Sequence, residues 1–576
     1  MDGERFGARL SASLLATSSG ATGQMMKKLL FTIMCFALWV PIVSAKDIYI
    51  AQNAAGAASG ADCADALAWS AFGSSSNWAP GNTLHICGTH SVAVNTTAIR
   101  ALASGSNGNP ITIKFEGSTA ILTSPAWPVS GGAIDCAGQS FITIDGGGNG
   151  LSTNTVGAGT GGGLITATAN GDALANHIAS TGIGDSTGSG CPNLTVQNMT
   201  LNNLYIRTQG SNNSFDDGLA IGAVNGNNNL ITHNTESNIS TGIAIAGCSS
   251  NGTVSYNLVS FNNHGVSLGP GGGNCGTAPN NINVVGNHFA GGSYVYDQSG
   301  NADYHRDSLI VNCGSPIPAC ITGLTVANNY FYGVNTKLPT SPTTAAIFLD
   351  DYSDNTITGS VYNNIIAFQA PDTGVATGYI VGGNTVQFLN NTIVPAGGGS
   401  TCFQIGGQGA ANGTLTYENN VLSGCGFGTI TLGNDPWLLG GNVLTITAWD
   451  YNIWYNLTTQ GGGPFMFPGS GSCCNTFASL QSSGFDTHGQ NGNNPNFVNA
   501  ANCQAGIISG CAPASGSPLI GSAKNLAGLG IALLNADMAG NPRPNSGMWT
   551  AGALNAGGGA TGTNVTPPTN LTASVN

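Results

Sequence analysis

Charge is what this sequence has least of. Asp, Glu, Lys and Arg together make up 6% of its 576 residues, against roughly 25% in an average globular chain. With only 12 Lys and Arg, it lacks the basic clusters that phosphate backbones require, which argues against a nucleic-acid partner. Sustained helical periodicity is absent, so a helical bundle is not expected. No Cys-x-x-Cys pair occurs with a second pair or a His pair at zinc spacing. Antiparallel hairpin signals with two-residue turns are scarce, which disfavours a sandwich or propeller.

What is present is glycine, 88 residues of it, crowded among Asn, Ser and Thr, with hydrophobic residues still at 41%. A disordered low-complexity chain lacks that apolar content. The apolar residues come in bursts of three to five between Gly/Asn/Ser clusters, a pattern of many short strands and many turns.

One apolar run stands apart. Met25-Met26-Lys27-Lys28 precedes residues 29–43, and Val43-Ser44-Ala45 ends the run with small residues. A basic segment, an apolar segment and an A-x-A-like site form a secretory signal peptide. The reading is therefore an N-terminal extension over 1–24, a signal peptide over 25–45, and a secreted chain with no membrane association after cleavage. Removing residues 1–45 deletes Asp2, Glu4, Arg5, Arg9, Lys27 and Lys28, leaving 23 acids and 8 bases. Cys35 leaves too, so the 15 cysteines become an even 14, and export with an even count favours disulfides. Cys63–Cys87, Cys313–Cys320, Cys402–Cys425 and Cys503–Cys511 are plausible local pairs, while Cys473 and Cys474 stay unassigned.

From about residue 195 a phrase recurs: a few apolar residues, then Asn, then another strand. It reads Leu194-Thr-Val-Gln-Asn198, Leu230-Ile-Thr-His-Asn234, Val254-Ser-Tyr-Asn257, Ile282-Asn-Val-Val-Gly-Asn287 and Leu324-Thr-Val-Ala-Asn-Asn329. Val361-Tyr-Asn-Asn364, Val386-Gln-Phe-Leu-Asn-Asn391 and Leu415-Thr-Tyr-Glu-Asn-Asn420 continue it, at intervals of 23 to 42 residues. Irregular self-similarity of this kind marks a solenoid whose coils carry inserted loops. A second phrase alternates with the first and places Leu219/Ile221, Ile243/Ile245, Val266/Leu268 and Leu309/Val311 inward in one apolar column. The recurring Asn is expected at a turn, where it tolerates left-handed geometry and its amide can bond the neighbouring coil.

Over about residues 110–555 the chain resembles the pectate-lyase-like right-handed parallel β-helix superfamily. Asn109-Pro-Ile-Thr-Ile-Lys-Phe-Glu-Gly and Phe141-Ile-Thr-Ile-Asp-Gly-Gly-Gly resemble its first coils. Ser517-Pro-Leu-Ile, Asp537-Met-Ala-Gly-Asn-Pro-Arg543-Pro and Trp549-Thr-Ala-Gly-Ala resemble its closing segment. The fold class is thus all-β, a single-domain right-handed parallel β-helix with long loop insertions over 110–556, behind an N-terminal cap region at 46–109. Residues 557–576 read as a Gly/Thr/Pro-rich linker, and Pro567-Pro-Thr-Asn-Leu-Thr-Ala-Ser-Val resembles the start of a fibronectin III-like module. The superfamily holds polysaccharide lyases, glycosidases, epimerases and adhesins, so fold does not choose among them.

With so few charges, the cluster Asp303-Tyr304-His305-Arg306-Asp307 before an inward strand is the strongest chemical signal. It resembles the His-Arg-Asp-Gly segments of secreted β-helix proteins, with Ser308 in place of glycine. Counting back from the inward residues aligns Asp217, Thr241, His264 and Asp307, which makes His264 and Asp307 neighbours at about 4.8 Å. A His beside a carboxylate suits acid–base work. In a lyase, His305 or His264 is the base, Arg306 the neutraliser of a uronic carboxylate and Tyr304 the proton donor. In a glycosidase, Asp303 and Asp307 form the carboxylate pair, with Asp350 or Asp351 as alternatives. Asp216-Asp217-Gly and Asn263-His264-Gly also resemble polygalacturonase segments, although a strand separates them here and that family's Asn-Thr-Asp and Arg-Ile-Lys elements are missing. Asp350, Asp351, Asp354 and Asn355 crowd one loop with the oxygen ligands calcium takes, without an EF-hand or nonapeptide repeat. No other metal site is read. Tyr294, Tyr296, Tyr330 and Tyr332 are candidate platforms for sugar rings. The functional expectation is a secreted protein that cleaves an extracellular polysaccharide. The alternative is a non-catalytic glycan-binding surface protein.

Overall fold

The computed structural model describes residues 45–557 apart from 149–155, 171–178, 205–218, 271–274, 276, 293–305, 314–319, 334–343, 352–356, 370–374, 382–384, 397–401, 407–412, 426–429, 433–444 and 458–475. The signal peptide, Cys473, Cys474 and the C-terminal linker lie outside the described residues.

Every strand-to-strand ladder among the described strands is parallel, and each strand pairs with its counterpart one coil away. The strands fall into ladders of 14 and 22. The larger holds two walls, because Thr235–Ala246 and Leu258–Gly269 each run round a corner and join them. Three walls per coil, all parallel and right-handed as such crossovers are, make a right-handed parallel β-helix. The first wall carries an inward file from Ile48 through Leu84, Ile113, Ile144, Val196 and Ile231 to Val254, Val284, Val326 and Val361. These side chains are nearly all fully buried. Short β-branched strands form because every second residue has such a file to enter.

Ladder pairing begins at Asp47–Ala51, which pairs with Thr83–Cys87. The segment expected as a cap therefore supplies the first coils, and among the described residues Trp69–Gly73 and its neighbours cover the end, with Phe72 and Trp78 buried. Inside that end, His90 is fully buried with its ring 4.1 Å from Trp69. Burial lowers its pKa from 6.5 to about 4. Between those values the unfolded chain binds the proton and the folded chain does not, so stability falls as pH drops from about 6.5 to about 4. The loss approaches roughly 3 kcal/mol. Urea midpoints at both ends of that window should show it in the wild type and much less of it in His90→Leu.

The recurring Asn phrase resolves into two jobs. The left-handed turn belongs to the residue before the last Asn: His233, Tyr256, Gly286, Asn328, Asn363, Asn390, Asn419 and Tyr451 have φ between 52° and 71°. The following Asn is buried and builds a ladder. Asn234, Asn257, Asn287, Asn329, Asn364, Asn391, Asn420 and Asn452 each donate Nδ2 to the next rung's Oδ1 at 2.9–3.1 Å, up to Asn452 on Asp486 at 3.2 Å. Asp486 ends the ladder, because its second oxygen must accept the Trp454 indole N–H. Burial pushes Asp486 up to about 7, against the opposing pull of N–H bonds from Asn452 and Trp454.

The last coil strand is Gln490–Asn491. Residues 497–557 do not add coils, contrary to the boundary at 556; they run back along the outside. Leu519, Leu526, Leu534 and Trp549 cover the outward Tyr362, Leu389, Val421 and Ile453, while Met538, Cys503 and Cys511 cover Tyr330 and Ile365. Tyr330 donates its hydroxyl to the Cys503 carbonyl beneath this tail. It is buried there and cannot serve as a sugar platform; Tyr332 packs with it. Six disulfides link the described residues: the four expected pairs, plus Cys136–Cys191 and Cys248–Cys275. They fit an oxidising, extracellular setting, and no described helix is long and apolar enough to cross a membrane.

Candidate functional site

Strands Thr235–Ala246, Leu258–Gly269 and Arg306–Cys313 stack in consecutive coils and set Thr241, His264 and Asp307 side by side. Leu219, not Asp217, faces Thr241, because Ile221 pairs with Ile243. The inward column is accordingly Ile221, Ile243, Val266, Leu309 and Ile347, with Leu219 half-buried two residues before it. Asp216 and Asp217 themselves lie outside the described residues.

The corner explains the orientation of this row. A Cβ on Gly265 would lie 2.7 Å from the Phe289 ring and 2.4 Å from the Ser308 carbonyl, so Gly265 faces the interior. The small residues Gly242, Gly265, Ser308 and Ala346 form the inner row, which is why a glycine or serine must follow His264 and Asp307. Thr241, His264, Asp307 and Ala345 form the outer row, and Ala345 packs with Ile310 and Phe348 apart from the main core.

Asp307 is anchored by the following coil, its Oδ1 accepting the Ala345 N–H at 2.9 Å. Its Oδ2 stands 3.8 Å from His264 Nδ1, an ion-pair distance longer than a hydrogen bond. The Asp307 side chain is 1% exposed and that of His264 14%. Arg306 sits in the strand opposite Thr344, but its side chain is not among those described. Asp303, Tyr304, His305, Tyr294 and Tyr296 lie outside the described residues. Asp350 and Asp351 pair with Asn312 and Cys313 at the far end of the strand, roughly 16 Å along the chain direction from the Asp307 rung. The structure therefore does not bring them to His264.

Sequence reasoning missed the interior half of this corner. Glu236 is 1% exposed and neither carboxylate oxygen has a hydrogen-bond partner; the hydroxyls of Ser240 and Ser308 are likewise buried and unpartnered. Burial pushes the Glu236 carboxyl well above the usual carboxylate range. The signal was in the sequence: two residues after each ladder Asn stand Val259, Phe289, Phe331, Ile366, Ile393, Leu422 and Trp454, and only the coil of Asn234 has an acid there.

Two further His–carboxylate sets were not read from the sequence. His488 Nδ1 lies 2.7 Å from Asp450 Oδ2, with the His488 ring stacked on Tyr451. His85 bridges Asp47 and Glu116 at 3.0 and 2.7 Å and stacks on Tyr49. Among the described residues, Cys136, Asp185 and Cys191 come close enough to hold a metal, but the two cysteines are bonded to each other and offer no thiolate. The calcium reading of Asp350, Asp351, Asp354 and Asn355 rests on side chains outside the described residues.

No family model matches this chain, and none of the curated proteins does. Solved structures do. The chain is similar to the A-module of mannuronan C-5 epimerase AlgE6 from Azotobacter vinelandii, with 11% identity and a TM-score of 0.34 over 68% of this chain and 94% of that one. It is also similar to the Streptococcus pneumoniae surface protein and adhesin PfbA, with 12% identity and a TM-score of 0.33 over 66% and 90%. A third is DFA-IIIase from Arthrobacter chlorophenolicus A6, solved with DFA-III, with 14% identity and a TM-score of 0.23 over 67% and 86%. At these identities the likeness concerns fold alone. The chain is a right-handed parallel β-helix protein.

Proposed function

We propose that this chain is a secreted, carbohydrate-active β-helix protein that cleaves an extracellular polysaccharide at the corner formed by His264 and Asp307. The observation that carries the reading is the pairing of these two residues across adjacent coils, with Asp307 held by the Ala345 N–H. An anchored carboxylate facing Nδ1 orients the His264 ring for proton exchange with substrate. Asp307, being sealed, positions His264 rather than touching the polymer. Buried polar groups are normally satisfied, so the unpartnered Glu236, Ser240 and Ser308 behind this corner support a functional origin. Arg306, Asp303, Tyr304 and His305 border the same corner in sequence and remain its proposed substrate contacts.

The outward rows of the first wall support a neutral polymer. Thr83, Thr112 and Thr143 share one outward register on the first wall, as do Thr195, Leu230 and Thr253 farther on. At the adjoining turn, Asn228, Asn251 and Asn281 each donate to the Asn one coil before. Uncharged hydroxyls and amides repeating at about 4.8 Å suit a polyol chain, and a net negative protein repels a dense polyanion.

The test incubates the purified chain with a panel of neutral and uronic polysaccharides and reads reducing ends and the ultraviolet absorbance of unsaturated products. Unsaturated ends mark elimination; reducing ends alone mark hydrolysis. His264→Ala should lower turnover by about 100-fold or more. The small exposure of His264 also favours a second reading, a non-catalytic glycan binder of the adhesin type. Silence on every polysaccharide with binding retained would establish that reading and end the first.

A further inference from the structure

We propose that Glu236 is an interior positioning residue of the His264 corner: uncharged, it holds the second and third walls together there, and its ionisation opens the corner and displaces His264 and Asp307. The inference rests on the reading of that corner as the functional site, and its structural part stands without it.

Glu236 enters the interior from the second wall, in register with Leu201 of one neighbouring coil and Val259 of the other. Its carboxyl crosses to the third wall. A Cβ on Gly242 would lie 2.6 Å from Glu236 Oε2, 2.8 Å from a Val259 methyl and 2.5 Å from the Gly265 carbonyl. The carboxyl is thus packed against the backbone that, on its outer side, carries Thr241 and His264. Only a glycine at 242 leaves room for it.

The groups around it are Leu201 from the preceding coil, Val259 and the Gly265 backbone from the following one, and Gly242 on its own strand. None carries charge, and burial alone accounts for the direction of its proton affinity. His264 and Asp307 lie on the outer side of the same backbone, and His233 stands three residues before Glu236 in the preceding turn. Neither oxygen of Glu236 is hydrogen-bonded. An ionised carboxylate without partner in an apolar interior costs several kcal/mol, so the proton is retained. An apolar residue, as in the other coils, would fill the position without that cost.

The sign of the pH dependence follows from linkage. Above the ordinary carboxylate range an open corner releases the proton and a closed one keeps it, so closure weakens as pH rises. Glu236 and Gly242 flank the bend at Asn238, whose φ is 49°, and the pairing of Thr235–Ala246 with Leu258–Gly269 is irregular across that bend. The opening is expected there.

The experiment measures amide exchange protection from about pH 6 to about pH 9 in the wild type, Glu236→Gln and Glu236→Leu. In the wild type, protection of residues 236–246 and 258–269 should fall toward the alkaline end, by about tenfold per pH unit at the limit. The first-wall segments 230–232 and 253–255 should hold. Glu236→Gln, neutral and of the same shape, should keep protection constant across the range, as should Glu236→Leu if it folds. Wild-type protection that does not change with pH, or a Glu236→Gln profile that follows the wild type, overturns the proposal. Should neither variant fold, the wild-type series decides alone. Exchange reads the corner whether or not a glycan is found, so its failure and that of the proposed function are distinguishable.

Discussion

Asn329→Ala is expected to destabilise the helix by about 3–5 kcal/mol, a loss in the range reserved for broken buried networks. Asn329 Oδ1 accepts both the backbone N–H and the Nδ2 of Asn287, each at 3.0 Å. Its own Nδ2 donates to the Val284 carbonyl at 2.8 Å and to Asn364 Oδ1 at 3.0 Å. Asn287, Asn329 and Asn364 are all fully buried. Alanine takes the acceptor from two Asn287 N–H donors and a donor from the Val284 carbonyl, and leaves Asn364 Oδ1 only the backbone N–H of residue 329, where water cannot reach. Chemical unfolding measures the total, and exchange should place the damage in the coils on either side, since solenoid coils touch only their neighbours. Asn328→Gly is the control. Asn328 holds the left-handed turn at φ 56°, a role Gly286 fills one coil earlier, so this change should stay within about 0.5 kcal/mol. If Asn329→Ala costs less than about 1 kcal/mol, the ladder is decoration and its energetic role is refuted.

Arg543→Ala should release the C-terminal tail from the coils at a similar scale, about 3–5 kcal/mol. The buried guanidinium donates to Asn363 Oδ1 at 2.9 Å and to the carbonyls of Gly552 and Thr550 at 3.0 and 3.1 Å. It stands 5.3 Å from the Trp549 ring. Burial lowers its pKa to about 10, so it stays charged at neutral pH. Removing it takes the donor from Asn363 Oδ1, leaves the Gly552 and Thr550 carbonyls only the Asn390 amide, and empties the space against which Trp549 packs. Limited proteolysis should then cut within 497–557 while the coils persist. Arg543→Lys should rescue little, because an ammonium cannot reproduce the planar fork that reaches three acceptors. A tail that resists protease in Arg543→Ala would remove Arg543 from any part in docking.

The tail also shows where reading the sequence falls short. Ser517-Pro-Leu-Ile and Trp549-Thr-Ala-Gly-Ala mark a closing segment, but nothing local in them says which coils they cover. That is set by the outward Tyr362, Leu389, Val421 and Ile453, residues that are outward only because of parity along strands fixed elsewhere. The pairing of His264 with Asp307 was legible, since both stand two residues before an inward apolar pair. The two-residue offset of Leu219 was not, because alternation says which face a residue takes and not which rung it occupies.

What the sequence determined by itself is therefore whatever repeats: parallel coils, inward files, the Asn rungs and four local disulfides. Each follows from a short-range pattern reissued at every coil. Only the tertiary structure decided how each Asn pair divides its work, that Glu236 meets Gly242 across the interior, and that Asp307 is sealed while His264 keeps a sliver of exposure. Those depend on which atoms of distant segments come within a few ångströms, and burial, which sets the chemistry of a carboxylate or an imidazole, is a property of the packed whole.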